Sequence, residues 1–216
     1  AAAEELRADL LVVGASRRGA AWKGILGSTA WQVLARSTLP VLVVHRPFGA
    51  AVRRVLLAAD LGAGRNALGH AVDVVEALFG RDHPELRCLH VVEQDPLLPA
   101  HPAAALERAG RQRLVRFLDD PRLARSIEGS VRVGDPARET AWEAAEWGAD
   151  LVVVPTFGRS GEGYGPLGRL GFATARGAPC NVLALPVPGG TAYGRTSPAP
   201  ADTRAEPLVA AGLSAA

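Results

Sequence analysis

Methionine is absent from this 216-residue sequence, aromatic residues make up only 5% of it, and cysteine occurs twice. With no Met at position 1 and an opening Ala-Ala-Ala-Glu-Glu-Leu that reads as helix interior, the expectation is a fragment, a trimmed chain or a misassigned gene. Cys88 and Cys180 are far apart, and neither sits in a CxxC motif or a Cys/His cluster, so no zinc site is indicated. Both lie in or beside apolar strand-like runs, where reduced, buried thiols and a reducing, cytoplasmic setting are expected. No apolar stretch is long enough to span a bilayer and no signal peptide opens the chain, so no membrane partner is expected. A strong charge of either sign is lacking too. The net charge is +2, and the 24 Lys and Arg residues, almost all Arg, are scattered. That pattern is a mixed solvated surface rather than a basic stripe, so no nucleic-acid partner is expected.

What the sequence has is length for one sizeable core, or one and a half small ones, and an ordinary 48% of hydrophobic residues. Short, continuous, apolar runs stand at 10–13, 41–44 and 55–59, followed by 86–92, 126–133, 151–154 and 182–185. Runs that do not alternate mark strands buried on both faces, as in a parallel sheet. Helical patterns separate them. Residues 28–36 carry Trp31, Val33 and Leu34, and 67–79 place Leu68, Ala71, Val72, Val75 and Leu78 on one face. Residues 102–118 carry Leu106, Leu114 and Phe117. The segment 136–147 opens with Asp135 as N-cap and Pro136 at the first helical position. Regular alternation of strand and helix predicts a doubly wound α/β sheet. The end of the chain, rich in Pro, Gly and Ala, reads as a flexible tail, with a weak helical pattern at 207–213.

The sequence also repeats itself. Ala-Asp-Leu-Leu-Val-Val at position 8 returns as Ala-Asp-Leu-Val-Val-Val at position 149, an offset of 141. At that offset, without a gap, Arg18 meets Arg159, Gly24 meets Gly165, Leu26 meets Leu167, Gly27 meets Gly168, and Val41-Leu42 meets Val182-Leu183. Each copy reads strand, glycine-rich loop, helix, strand. The second is preceded by enough chain for three more strands, at 51–148, and the first by only seven residues.

In the first copy the strand runs into Gly14-Ala-Ser-Arg-Arg-Gly19 and the helix opens near Gly27-Ser28-Thr29. Two readings of this loop stand. Backbone N–H groups at the helix start, with the Ser28 and Thr29 hydroxyls, form an anion site that a phosphate would fill. Alternatively Ser28 only caps the helix and the glycines only turn the chain.

These residues carry a resemblance. Gly14, the Gly27-Ser28 pair at its spacing, and Pro40-Val-Leu-Val-Val44 are similar to the C-terminal signature of the universal stress protein family. Residues 52–188 resemble that family's whole domain: Arg54-Val-Leu-Leu-Ala-Ala-Asp60 matches its first strand, Leu89-His-Val-Val92 its second, Val133-Gly-Asp-Pro136 the entry to its third helix, and Gly148-Ala-Asp-Leu-Val-Val-Val154 its fourth strand. The resemblance implies a Rossmann-like open parallel five-stranded sheet of order 3-2-1-4-5 with helices on both faces, plus an additional partial βαβ unit. It implies three segments: 1–47 as the C-terminal part (strand 4, helix 4, strand 5) of a first domain, 52–188 as a complete second one, and 189–216 as the tail.

Family members that bind ATP hold it at the crevice between strands 1 and 4. Carried over, the cofactor-binding positions are Asp60, Gly158, Gly168 and Arg169 in the complete domain and Gly14, Gly27, Ser28 and Thr29 in the first copy. ATP, with Mg²⁺, is the cofactor implied. Both copies depart from the pattern. Arg17 stands at the second Gly of the first loop, Pro155 replaces the first Gly of the second, and Arg169 replaces its Ser/Thr. Pro155 offers no backbone donor to a phosphate, whereas the Arg169 guanidinium either neutralises one or fills the pocket.

The remaining residues add little chemistry. The five histidines have no metal spacing, and His90, in a strand-like run, reads as a satisfied structural histidine. Asp60 either bonds its own loop or meets a ligand at the strand end, and the second is favoured. Asp9 and Asp150 read as turn residues, and Trp142 and Trp147 as packing residues. No Ser/His/Asp, Cys/His or paired-carboxylate motif is present, so a turnover enzyme is not expected, with weak ATP hydrolysis left open. Two functions follow: a nucleotide-responsive stress regulator, or a ligand-free interaction module of the same fold. The family pairs its domains through strand 5, so Val41 to Val44 and the run 182–185 are expected to pair, within the chain or in a homo-oligomer.

Overall fold

The computed structural model describes residues 6–15, 28–62, 65–94, 102–120, 123, 126–156 and 168–187. Their elements run β1 (Leu11–Gly14), α1 (Ser28–Arg36), β2 (Val41–Val44), β3 (Arg54–Ala58), α2 (Arg65–Phe79), β4 (Glu85–Val92), α3 (Ala103–Leu118), β5 (Glu128–Val133), α4 (Pro136–Trp147), β6 (Leu151–Thr156), α5 (Gly168–Gly177) and β7 (Asn181–Pro186). The strands form one sheet in the order β1-β2-β7-β6-β3-β4-β5. From the far edge inward, β5-β4-β3-β6-β7 is the expected order 3-2-1-4-5, but the sheet has seven strands because β2 and β1 continue it. Every neighbouring pair is parallel except β2 and β7, which run antiparallel.

Local chemistry places the elements. Asp135 caps α4, its Oδ1 accepting the Arg138 amide at 2.9 Å, and Pro136 fills the first turn where no N–H is needed. Gly148 ends that helix at φ 72°, a left-handed cap that favours glycine. On α2, Ala67, Leu68, Ala71, Val72 and Val75 form the buried stripe. Leu78, expected on that face, is 41% exposed, and Phe79 packs against the core in the last turn instead.

Strand alternation divides the interior in two. Leu57, Leu68, Val75, Leu114, Phe117, Val153, Leu183 and Leu42 share one face of the sheet with α2 and α3. Leu56, Leu89, Val152, Val154, Val182, Val43 and Leu34 share the other with α1, α4 and α5. Both cores continue across the β2–β7 junction: Leu42 with Leu183 on one side, Val43 with Val182 on the other. After β2 the chain crosses to β3 along the surface. The Phe48 ring rests on Phe79 with centroids 5.7 Å apart, and the Val52 amide donates to Asp82 Oδ2 at 2.8 Å.

Candidate functional site

In an open α/β sheet the crevice outside the carboxyl ends of neighbouring strands collects ligands. Here it lies between β3 and β6. Asp60 follows β3, is exposed, and accepts the Gly62 amide at 2.8 Å through Oδ1. The loop-bonding reading of this residue, the one not favoured from sequence, is therefore realised. Pro155 lies at the end of β6, across the crevice from Asp60. Among the described residues the cavity between them is about 10 Å³, lined by Leu57, Leu68, Ala71, Phe117 and the two residues just named. That is room for roughly one water. Phe117 comes from α3, a helix whose sequence is no part of the loop motif.

His90 of β4 stands beside this crevice and is buried. Its Nδ1–H donates a long 3.4 Å bond to the Ala59 carbonyl, while its Nε2 is buried with no partner. The expectation of a satisfied histidine is thus only half met. Burial lowers its pKa, the Ala59 carbonyl raises it, Arg113 lowers it and Asp60 raises it, and the outcome is below the usual histidine value.

The other expected site residues fall in two places. Gly168 and Arg169 open α5, the helix that follows β6 in the chain. Gly14 ends β1, and Ser28 and Thr29 open α1. Gly27, Gly158 and Arg17 lie outside the described residues. The two sets cannot share a ligand: β2 and β7 stand between β1 and β6, and their antiparallel pairing points the carboxyl ends of β1 and β6 in opposite directions.

Sequence reasoning missed a polar clasp at the junction. Asn181, at the start of β7 and 1% exposed, accepts the amides of His45 at 2.9 Å and Arg46 at 3.1 Å. His45 Nε2–H donates to the Ala175 carbonyl at 2.8 Å, in the last turn of α5. Arg46 donates to the Ala149 carbonyl at 3.1 Å and pairs with Asp150 at 3.5 Å. Asp150 also takes the Arg53 and Arg54 amides, so its turn role extends to anchoring β3. A cavity of about 250 Å³ opens beside Arg46, Phe48, Asp150 and Asn181. One signal was available: at the repeat offset Asn181 stands where the first copy has Pro40.

A second cluster joins β4, β5 and α4. Glu143, 4% exposed, accepts Arg87 at 3.0 Å and Arg132 at 2.5 Å; Arg87 also reaches Glu128, and Arg132 reaches Glu146. Trp147 lies under the Arg87 guanidinium at 4.4 Å. Trp142, expected to pack, is instead 59% exposed and holds Arg132 over its ring at 5.5 Å.

Comparison with known proteins places this architecture. Solved structures with the same fold include a candidate universal stress protein from Pseudomonas aeruginosa UCBPP-PA14 (TM-score 0.66, 18% identity, 86% of this chain and 66% of that one). A universal stress protein from Archaeoglobus fulgidus DSM 4304 matches at TM-score 0.60 and 22% identity, over 86% of this chain and 64% of its own. The chain thus spans just under two thirds of the length of these structures. None of the curated proteins matches it. The sequence model of the universal stress protein family, in contrast, matches residues 1–45 and 51–186. With both stretches of strand, loop and helix covered, the chain belongs to the universal stress protein family.

Proposed function

We propose that this chain is a stress-response regulator that acts as a binding module, not an enzyme, and that its working element is the pairing of two stress-protein units through their last strands. In this reading 1–47 is the C-terminal part of one unit, 52–188 is a complete second unit, and 189–216 is a tail. The observation that supports it is the register of β2 on β7. Leu42 faces Leu183, its own equivalent at the repeat offset; Val41 faces Ala184, the equivalent of Val43; and Val43 faces Val182, the equivalent of Val41. The pairing is its own image under a two-fold rotation, which is the geometry of an isologous interface between two identical subunits. One chain thereby does what a homodimer does elsewhere.

A second reading has its own support. Asp60 and Pro155 both line the β3/β6 crevice, and α5 begins with Gly168-Arg169, the positions that match the family's phosphate loop, so adenine nucleotide, with Mg²⁺ on its phosphates, is the ligand the family's site would take there. Phe117 and the small cavity oppose this reading.

One experiment separates the two. In cells of its own organism lacking the protein, wild type, Asp60→Ala and Leu42→Asp are expressed to equal soluble levels, and survival after heat or oxidant is scored. Association through β2–β7 predicts rescue by Asp60→Ala and failure of Leu42→Asp. The opposite pattern, with wild type stabilised in a thermal shift by millimolar ATP and Mg²⁺, overturns it in favour of the nucleotide; ligand at about 100 times its Kd would add about 2.7 kcal/mol.

A further inference from the structure

The seam between the two copies holds more chemistry than strand pairing needs. At the offset of 141, Arg46 stands where the second copy has Val187, Phe48 where it has Gly189, and Asn181 where the first copy has Pro40. The register of β2 on β7 is symmetric, so residues that only closed it would be alike at its two ends. Instead the guanidinium, the ring and the buried amide gather at one end, around the cavity of about 250 Å³. That end is distinct from the Asp60 crevice. It lies at the start of β6 and β7, whereas Asp60 and Pro155 mark the other end of the parallel strands.

The charged groups there are held short of one another. Arg46 Nη2 donates to the Ala149 carbonyl at 3.1 Å, and Asp150 Oδ2 accepts the Arg53 and Arg54 amides at 2.9 and 3.2 Å, so each is tethered from elsewhere. Nη2 and Asp150 Oδ1 stop at 3.5 Å, against about 2.7–2.9 Å for a full charge-assisted bond. Asp150 Oδ1 therefore keeps acceptor capacity, and Arg46 keeps its Nε and Nη1 donors. Asn181 Oδ1 is committed to the His45 and Arg46 amides, so what Asn181 offers a ligand is its Nδ2 donor. Phe48 supplies an apolar wall, fixed by its packing on Phe79. Arg46, Pro47 and Gly49 are exposed, which leaves the cavity open to solvent.

We propose that this cavity binds a free α-amino acid with an aliphatic side chain. The carboxylate takes the donors of Arg46 and Asn181, the ammonium sits on Asp150 Oδ1, and the side chain lies against Phe48. A zwitterion matches the tethered pair because it carries both charges on one carbon, side by side as they are in the cavity. A simple anion or cation satisfies one member and leaves the other without a counter-charge. Size decides against a nucleotide. The cavity of about 250 Å³ holds about eight waters at about 30 Å³ each. It falls below the roughly 300–1,000 Å³ of pockets for drug-sized ligands. Because its wall combines the segment after β2 with the starts of β6 and β7, an occupant contacts both copies at once.

The test is a titration of the 216-residue protein with L-leucine, followed through the NMR amide signals of Arg46, Gly49 and Asn181. Saturable shifts at these positions are expected, with a Kd of about 1 mM or below. Isovalerate, which lacks the ammonium, and isoamylamine, which lacks the carboxylate, are expected to bind at least about tenfold more weakly. Arg46→Gln is expected to weaken leucine by at least about tenfold while the signals of β6 and β7 stay in place. The ligand series needs no variant, so it tests the proposal even where Arg46→Gln disturbs the fold. Absence of shifts at about 20 mM leucine, equal binding of either half-ligand, or unchanged leucine affinity in a folded Arg46→Gln overturns the proposal.

Discussion

Asn181 accepts the His45 amide at 2.9 Å across the junction of β2 and β7, and no equivalent bond can form on the other side of the two-fold register, where the same repeat position is Pro40. The strand pairing is symmetric, but the clasp that locks it is one-sided. Pro40 has no side-chain acceptor, so only the end of β2 is tied down by a buried amide.

Asn181→Ala is accordingly expected to destabilise the protein more than its size suggests. It leaves the His45 and Arg46 amides without their acceptor, at about 1–3 kcal/mol for each donor that stays buried. Urea unfolding at pH 8 should show a loss of about 2–4 kcal/mol. A loss under about 1 kcal/mol would mean that water replaces the side chain.

Two histidines make stability depend on pH in one direction. Burial lowers the pKa of His45, partly offset by its bond to Ala175, and burial likewise lowers that of His90. A folded pKa below the unfolded 6.5 means that the unfolded chain binds protons first. The stability contribution is complete above pH 6.5 and is lost as pH falls through the lower folded values. Melting temperature should be level from pH 8 to 7 and drop toward pH 5. His90→Leu, which also removes the unpartnered Nε2, should shrink that drop without loss of stability at pH 8. An unchanged pH profile in His90→Leu would clear this residue of the effect.

Glu143 links two guanidinium groups in a nearly closed space. Burial alone would raise its pKa, but the hydrogen bonds from Arg132 and Arg87 outweigh burial and lower it. Its contribution is therefore present above the ordinary carboxylate value and lost as pH falls through the folded value. Glu143→Ala leaves Arg87 and Arg132 short of a counter-charge and should cost about 3–5 kcal/mol in denaturant unfolding. Glu128, whose side chain is 63% exposed, serves as control. Glu128→Ala should cost no more than about 1 kcal/mol. Equal effects of the two would show that the network is solvated throughout.

Cys88 and Cys180 should be silent toward thiol reagents in the native state. Burial pushes each thiol up to about 12, far above working pH, and both are buried. A disulfide-exchange reagent at pH 8 should titrate neither before unfolding and both in urea. Rapid labelling of Cys180 in native buffer would indicate that the neighbouring junction opens.

Much of the fold was legible because its signals are local. The β2 and α1 bounds, the Asp135 cap and the alternation of strands and helices each depend on residues within a turn or two of one another. The repeat was legible for the same reason, as two local patterns of equal kind. The crevice was legible only in part. Asp60 and Pro155 announce their positions by ending strands, but Phe117, which narrows the space between them, belongs to a helix far along the chain and has no motif. Trp142 misled for a related cause: an aromatic on a helix is core by default, and only the placement of Arg132 on β5 gives its exposed ring a partner.

By itself, then, the sequence determined the alternating α/β character, the duplicated strand–loop–helix–strand unit and the kinship that both imply, since hydrophobic period and glycine spacing are properties of neighbouring residues. The tertiary structure alone decided the register in which Leu42 meets Leu183, that Asn181 reaches back to His45, and that β2 and β7 run antiparallel within an otherwise parallel sheet. Those outcomes rest on contacts between segments more than a hundred residues apart, and backbone hydrogen bonds between strands can be satisfied by any partner the folded chain brings alongside.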